Sequence, residues 1–178
     1  MRTVGLVTLS GLTLALAACD RHELAVGSPI AGGAHATAML RTASGVEAGR
    51  ATVTDVAGGI RVTLDARGLP AGTHGAHLHT AGRCDAPDFA SAGPHWNPDA
   101  RQHGAMNPNG PHAGDMPNLI VGTDGRGTLG VTLPGQTVAA LLDADGGALV
   151  VHAGADDLMT DPSGNSGGRI ACGVFTAA

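Results

Sequence analysis

Apolar and polar residues alternate strictly in two segments of this chain. Ile60, Val62 and Leu64 interleave with Arg61, Thr63 and Asp65, and Leu129, Val131 and Leu133 interleave with Thr128, Gly130 and Thr132. A period of two sends the two sets to opposite faces of an extended segment, so each predicts a half-buried β-strand. Turn signals at Ala43 to Gly45, Gly58-Gly59, Asp124-Gly125 and Asp145-Gly146-Gly147 bound such segments, and no amphipathic helix of ten or more residues stands out. The pattern predicts an all-β, antiparallel sandwich or flattened barrel of about eight strands. Two long stretches break the rhythm, Ala81 to Pro117 and Ala153 to Gly168. Loops of that length are usually functional or disordered, and these carry histidines, aspartates and a cysteine, which predicts function.

The N-terminus changes the compartment. Arg2 is followed by an apolar run from Val4 to Leu16 and then by Leu16-Ala17-Ala18-Cys19, a signal-peptide pattern too short for a stable membrane span. Cysteine directly after Leu-Ala-Ala resembles a bacterial lipobox, which implies cleavage before Cys19, lipidation of that residue and a membrane anchor. An ordinary signal peptide beside a free cysteine is the alternative. Asp20 follows, and whether the anchor lies in the inner or the outer membrane stays open. The predicted organisation is therefore a signal peptide over residues 1–18, a polar tether over 19–33 and one domain over 34–178. With Cys19 assigned to lipid, Cys84 and Cys172 remain as a pair in an oxidising compartment, which predicts a disulfide; two unpaired thiols are the alternative.

Charge and composition then narrow the chemistry. The formal net charge is −5, every basic residue is arginine, and the aromatics are Trp96, Phe89 and Phe175 alone. Without a basic run or an aromatic-interleaved patch, nucleic-acid binding is excluded. Histidine is the informative excess: nine in all, seven of them between His74 and His152. Neutral imidazole suits copper and zinc, whereas thiolate sites need cysteines that this chain lacks. His77 and His79, two apart, leave a strand by the same face and can grip one ion. Together with His95, His103, His112, Asp115 and His152 they stand at spacings that fit two transition-metal ions sharing one ligand.

The setting of these residues resembles the copper/zinc superoxide dismutases. Gly72-Thr73-His74-Gly75-Ala76-His77-Leu78-His79 is similar to the family's copper-binding signature, and Ser91-Ala92-Gly93-Pro94-His95-Trp96-Asn97-Pro98 to the segment carrying its bridging histidine. His103-Gly104 and Gly110-Pro111-His112-Ala113-Gly114-Asp115 resemble the zinc loop, Val151-His152-Ala153 supplies a fourth copper histidine, and Gly164 to Gly173 resembles the C-terminal signature. The resemblance implies an eight-stranded antiparallel Greek-key barrel with two long functional loops; superoxide dismutase is itself a standard example of that sandwich architecture. It implies copper on His77, His79, His95 and His152, and zinc on His95, His103, His112 and Asp115, with His95 as a bridging imidazolate. Asp156 resembles the aspartate that holds His77 and His103 from behind, His74 a histidine that props the strand without binding metal, and Arg169 the arginine that positions the anionic substrate. Asp157 is read as a solvated loop carboxylate.

The activity so implied is dismutation of superoxide to oxygen and hydrogen peroxide, with His95 and Arg169 catalytic, in a periplasmic, lipid-anchored protein that protects the cell envelope. The lysines and glutamates that line the animal enzyme's channel are missing, so electrostatic steering falls to Arg169, with Arg83 and Arg101 as further candidates. An extra segment, Asp85 to Phe89, leans toward the bacterial secreted members. Monomer and homodimer both remain open. The alternative is an envelope-tethered copper and zinc buffer without turnover; a β-sandwich adhesion module would not need seven aligned metal-site residues.

Overall fold

The computed structural model describes residue 30 and residues 32–178. The predicted signal peptide, Cys19 and most of the tether lie outside the described residues. The alternating segments form strands as the pattern requires. In chain order they are β1 (His35–Thr42), β2 (Glu47–Val56), β3 (Gly59–Ala66), β4 (Gly72–His74), β5 (Ala76–His79), β6 (Leu119–Val121), β7 (Gly127–Pro134), β8 (Ala148–His152) and β9 (Arg169–Ala177). Among the described residues, helix is confined to a 3-10 turn at Ala90–Ala92 and to α1 (Val138–Leu141), which Thr137 caps by accepting from the Ala140 N–H.

All pairings are antiparallel. Seven strands run in the order β5-β8-β9-β1-β2-β3-β7, and β4 pairs with β6. The extra strand relative to the eight expected comes from the division of one segment into β4 and β5 at Gly75. Ile60, Val62 and Leu64 face the core while Arg61, Thr63 and Asp65 face outward, and the register Val62↔Val53 and Val62↔Val131 carries that face across the sheet. Leu129 and Val131 are only half-buried, because β7 is the last strand of the seven.

Strands β5 and β8 behave differently: both are buried at every position. Ala76, Leu78, Leu149 and Val151 point into the main core, as alternation demands. The opposite face is covered as well. Phe89, Ala92, Ala148, Val150 and Cys172 form a second, smaller cluster, closed by the Cys84–Cys172 disulfide. Loop 80–118 thus folds back over the outside of the sheet, and it is on this covered outer face that His77, His79 and His152 emerge.

The loop also completes the open edge of β5. Trp96 N–H donates to the Leu78 carbonyl, Leu78 N–H to the Gly114 carbonyl and Gly114 N–H to the Trp96 carbonyl. A side chain at position 114 would collide with the Leu78 carbonyl, so only glycine permits this approach. His95 is thereby bridged to His79, and Asp115 to His77.

The disulfide spans a sequence separation of 88 residues. Loop-closure entropy over that distance is worth about 4 kcal/mol, toward the upper end for such bridges. Cys84→Ser should therefore lower the urea midpoint markedly in non-reducing buffer; a midpoint equal to wild type would mean that the bridge contributes nothing to the folded state.

Candidate metal centre

Seven histidines are buried, and six of them, His77, His79, His95, His103, His112 and His152, cluster with Asp156 against the outer face of β5 and β8. Buried polar atoms are normally paired, so the direction of each ring decides what the cluster can bind. His79 Nδ1 donates to the Gly93 carbonyl at 2.8 Å and His152 Nδ1 to the Gly167 carbonyl at 3.1 Å. His77 turns Nε2 to Asp156 Oδ2 at 2.6 Å. A neutral imidazole carries one proton, and once that proton faces an acceptor the other nitrogen bears a lone pair. The nitrogens left over, His77 Nδ1, His79 Nε2 and His152 Nε2, are buried without a partner, as is His95 Nε2. These four residues offer ligand atoms all within 4.8 Å of one another. Four converging lone pairs with no proton between them are a fit for a soft-to-borderline cation such as copper.

A second group meets at one oxygen. His95 Nδ1 lies 2.9 Å, His103 Nδ1 3.0 Å and His112 Nδ1 3.3 Å from Asp115 Oδ1. The other oxygen, Asp115 Oδ2, is held by the N–H groups of Gly104 and His112. Three imidazoles and one carboxylate form a donor set that four-coordinate zinc takes. His77 also lies within 4.8 Å of His95, His103 and Asp115. It does not belong to this group, because its Nε2 is committed to Asp156 and its Nδ1 faces the first. His95 alone serves both groups, Nε2 to one and Nδ1 to the other.

Asp156 stands behind the pair. Its carboxylate accepts from His77 Nε2, from His103 Nε2 at 3.0 Å and from the Leu158 N–H at 2.6 Å. Burial works against its charge, but the bonds from His103 and His77 outweigh burial and hold the carboxyl well below the usual range. Asn118 clasps the same residue by its backbone, accepting from the Asp156 N–H at 2.8 Å and donating to its carbonyl at 2.9 Å. Nothing in the local sequence marks Asn118, which lies 38 residues away. His74 belongs to neither group; its two ring nitrogens face the His152 and Pro70 carbonyls at 2.8 and 2.9 Å, bracing β4 against β8. Asp157 is exposed but not merely solvated: it accepts from the Met159 and Thr160 N–H groups and from Asn165 Nδ2, knotting its loop.

A cleft of about 420 Å³ opens onto the first group, lined by His95, His152, Gly93, Pro162, Ser163 and Arg169 among others. Arg169 is fixed at its mouth by donating to the Phe89 and Gly93 carbonyls at 2.6 and 2.7 Å. Among the described residues it is the one charged side chain on the cleft wall. Arg83 instead pairs with Asp85, and Arg101 donates to the Gly110 carbonyl; neither reaches this cleft.

The chain as a whole is similar to known proteins. A family model described as copper/zinc superoxide dismutase matches residues 47–175. The chain is 42% identical over 147 residues to a Cu-Zn superoxide dismutase of Caulobacter vibrioides, covering 79% of this chain and 84% of that protein. A Cu-Zn superoxide dismutase of Aquifex aeolicus is 44% identical over 138 residues, covering 73% and 80%. Among solved structures, a SOD-like protein from Bacillus subtilis superposes with a TM-score of 0.74 at 38% identity, covering 79% of this chain and 97% of that one. The Cu/Zn superoxide dismutase of Brucella abortus gives 0.65 at 28% identity, covering 80% and 99%.

Two outcomes follow from the geometry. In the metal-free protein, burial and the neighbouring histidines depress His79 to about 2 and His152 to about 4, and burial depresses His95 to about 4. The unfolded chain takes up these protons near pH 6.5, before the folded one does. Stability is therefore present above that pH and lost as pH falls from about 6.5 toward 4. His103 acts in the opposite sense: burial opposes its charge, but Asp115 and Asp156 raise it to about 9, so its contribution is present below 6.5 and fades as pH rises toward 9. Three rings against one predict a urea midpoint that drops on mild acidification of metal-free protein, and a flat profile would contradict the cluster. Gly164, with φ of 62°, has no room for a Cβ against Asp156 Oδ1 and His103 Nε2. Gly164→Ala should weaken zinc binding about 10-fold or more in chelator competition; wild-type affinity would show that Asp156 tolerates displacement.

Proposed function

Because the chain belongs to the copper/zinc superoxide dismutase family, an oxidoreductase family that uses both metals, we propose that its two histidine groups are the copper and zinc sites of a dismutase working in the bacterial cell envelope. Copper is assigned to His77 Nδ1, His79 Nε2, His95 Nε2 and His152 Nε2, and zinc to His95 Nδ1, His103 Nδ1, His112 Nδ1 and Asp115 Oδ1. The observation that carries the reading is the convergence of four unpartnered ring nitrogens, two of them on His95 and His152 in the wall of a cleft where Arg169 is the one charged side chain among the described residues. The balanced reaction takes two superoxide ions and two protons to one oxygen and one hydrogen peroxide. When bound, copper supplies the one-electron exchange while zinc, which has no redox chemistry, holds the shared ring and shapes its loop.

The chain's own residues supply the rest. Arg169 retains guanidinium donors beyond the two spent on carbonyls, and it presents them to a small anion entering the cleft. His95 lines the cleft, and its Nε2 would take up a proton and return it to the product. His77, His79 and His152 cannot rotate, since Asp156 and the Gly93 and Gly167 carbonyls hold them from behind, so no reorganisation is needed during turnover. Pro162 and Ser163 narrow the entrance to a small ligand.

Location in the envelope is supported by the apolar run from Val4 to Leu16 and by the Cys84–Cys172 disulfide, which suits an oxidising compartment. A lipid anchor on Cys19 would hold the enzyme at the membrane, where it removes superoxide arising outside the cytoplasm.

Arg169→Glu separates this reading from metal storage without turnover. Every ligand stays in place while a negative charge meets the incoming anion. Copper and zinc contents near wild type with a large fall in dismutation rate are expected. The wild-type rate should also decline as salt rises, since charges further apart than a Debye length of roughly 10 Å at 0.1 M are screened. Full turnover by the variant at low ionic strength would remove Arg169 from the reaction.

A further inference from the structure

Nearly every ring in the two groups has its outward nitrogen anchored by a group already described. Asp156 holds His77 and His103, the Gly93 and Gly167 carbonyls hold His79 and His152, and His95 spends both nitrogens inside the cluster. His112 is the remaining case. Its Nδ1 turns to Asp115, and its Nε2 faces Asp161 Oδ1 at 3.7 Å. The same Asp161 oxygen accepts a 2.6 Å hydrogen bond from the His103 backbone N–H. One carboxylate oxygen, 58 residues further along the chain than His103, thus bonds one member of the group that Asp115 completes and faces another.

We propose that Asp161 is a positioning residue for the zinc site, fixing His103 and His112 and tying zinc retention to the wall of the substrate cleft. The proposal rests on the assignment of zinc to His95, His103, His112 and Asp115. A histidine that binds a cation through Nδ1 must carry its proton on Nε2, and that N–H then needs an acceptor in a ring only 7% exposed. Asp161 Oδ1 is the carboxylate oxygen that faces it, at 3.7 Å, too far for a hydrogen bond but close enough for its charge to favour that proton. Its own side chain is 48% exposed, so solvent screens the attraction to His112, and the short bond to the His103 N–H carries more of the effect. The contact extends an existing seam between the two loops, where the Met106 N–H donates to the Leu158 carbonyl and Asn107 Nδ2 to the Met159 carbonyl. Pro162 and Ser163, the next residues after Asp161, line the cleft. A single side chain therefore links the zinc ligands to the entrance used by substrate.

The test uses the full chain loaded with both metals, as wild type, Asp161→Ala and Asp161→Asn. Zinc transfer to a colorimetric chelator and the visible absorption of protein carrying Co(II) in place of zinc are the readouts. Asp161→Ala should release zinc about 10-fold faster or more, keep its copper, and show a shifted Co(II) band. Asp161→Asn keeps an acceptor oxygen for the His103 N–H but loses the charge, and should fall between. Wild-type release from Asp161→Ala overturns the proposal. Faster release with an unshifted Co(II) band and an equal loss of stability in the metal-free protein also overturns it, since Asp161 would then serve loop folding alone. If wild type holds no zinc, or His112→Ala holds it as tightly as wild type, the zinc assignment itself falls and the proposal with it, a result distinct from failure of Asp161 alone.

Discussion

The structure turns on burying a knot of imidazoles whose polar atoms must all point somewhere. A buried donor or acceptor left unpaired costs about 1–3 kcal/mol, and the converging ring nitrogens of His77, His79, His95 and His152 stand unpartnered here. That arrangement survives only because the opposite nitrogen of each ring is well satisfied: His77 by Asp156, His79 by Gly93, His152 by Gly167, His95 by Asp115. The hydrogen bonds behind the rings choose which nitrogen keeps its lone pair, and so choose the number and position of the cation sites. Reversing one ring would point a proton into the centre.

The barrel serves this requirement by leaving one edge open and one face bare. Strand β5 lacks a strand neighbour beyond β8 in its sheet, and loop 80–118 fills that edge, with Trp96 and Gly114 bonded to Leu78. The same loop carries Phe89 and Ala92 onto the outer face of β8, and Cys84 closes it onto Cys172. His95 and Asp115 reach His79 and His77 by backbone pairing, which places them more firmly than side-chain contacts would. The second loop, 153–168, then brings Asp156 behind the rings and Pro162, Ser163 and Arg169 around the entrance. The ring cluster and the cleft arginine thus share their supports. The Gly93 carbonyl alone anchors both His79 and Arg169.

Much of this was legible in the chain. Strict alternation in β3 reported its buried face, the two breaks in alternation coincided with the two loops that build the site, and two cysteines read beside a signal-like N-terminal run implied the disulfide. His77 and His79 were readable because a two-residue spacing on a strand has one geometric meaning. Strands β5 and β8 were less clear from periodicity, since both faces are covered and no polar phase survives at Ala148 to His152. Arg83 and Arg101 stood beside Arg169 as further candidates for steering. Folding separates them, for Asp85 neutralises the first and the Gly110 carbonyl takes the second.

What the sequence determined by itself was the inventory: which donor types exist, how many, and which local elements carry them, because these follow from residue chemistry and from spacings of a few residues. Tertiary structure decided which nitrogen of each ring faces inward and which distant groups stand behind it. Asn118 and Asp161 act across 38 and 58 residues through backbone groups that every residue possesses, so no side-chain pattern announces them. Gly164 lay inside a readable motif, yet its purpose, space for the Asp156 carboxylate, exists only once the two loops have met. Ring orientation is a property of the assembled acceptors, and those are brought together by the closing of the barrel and its loops, not by the order of residues in any one of them.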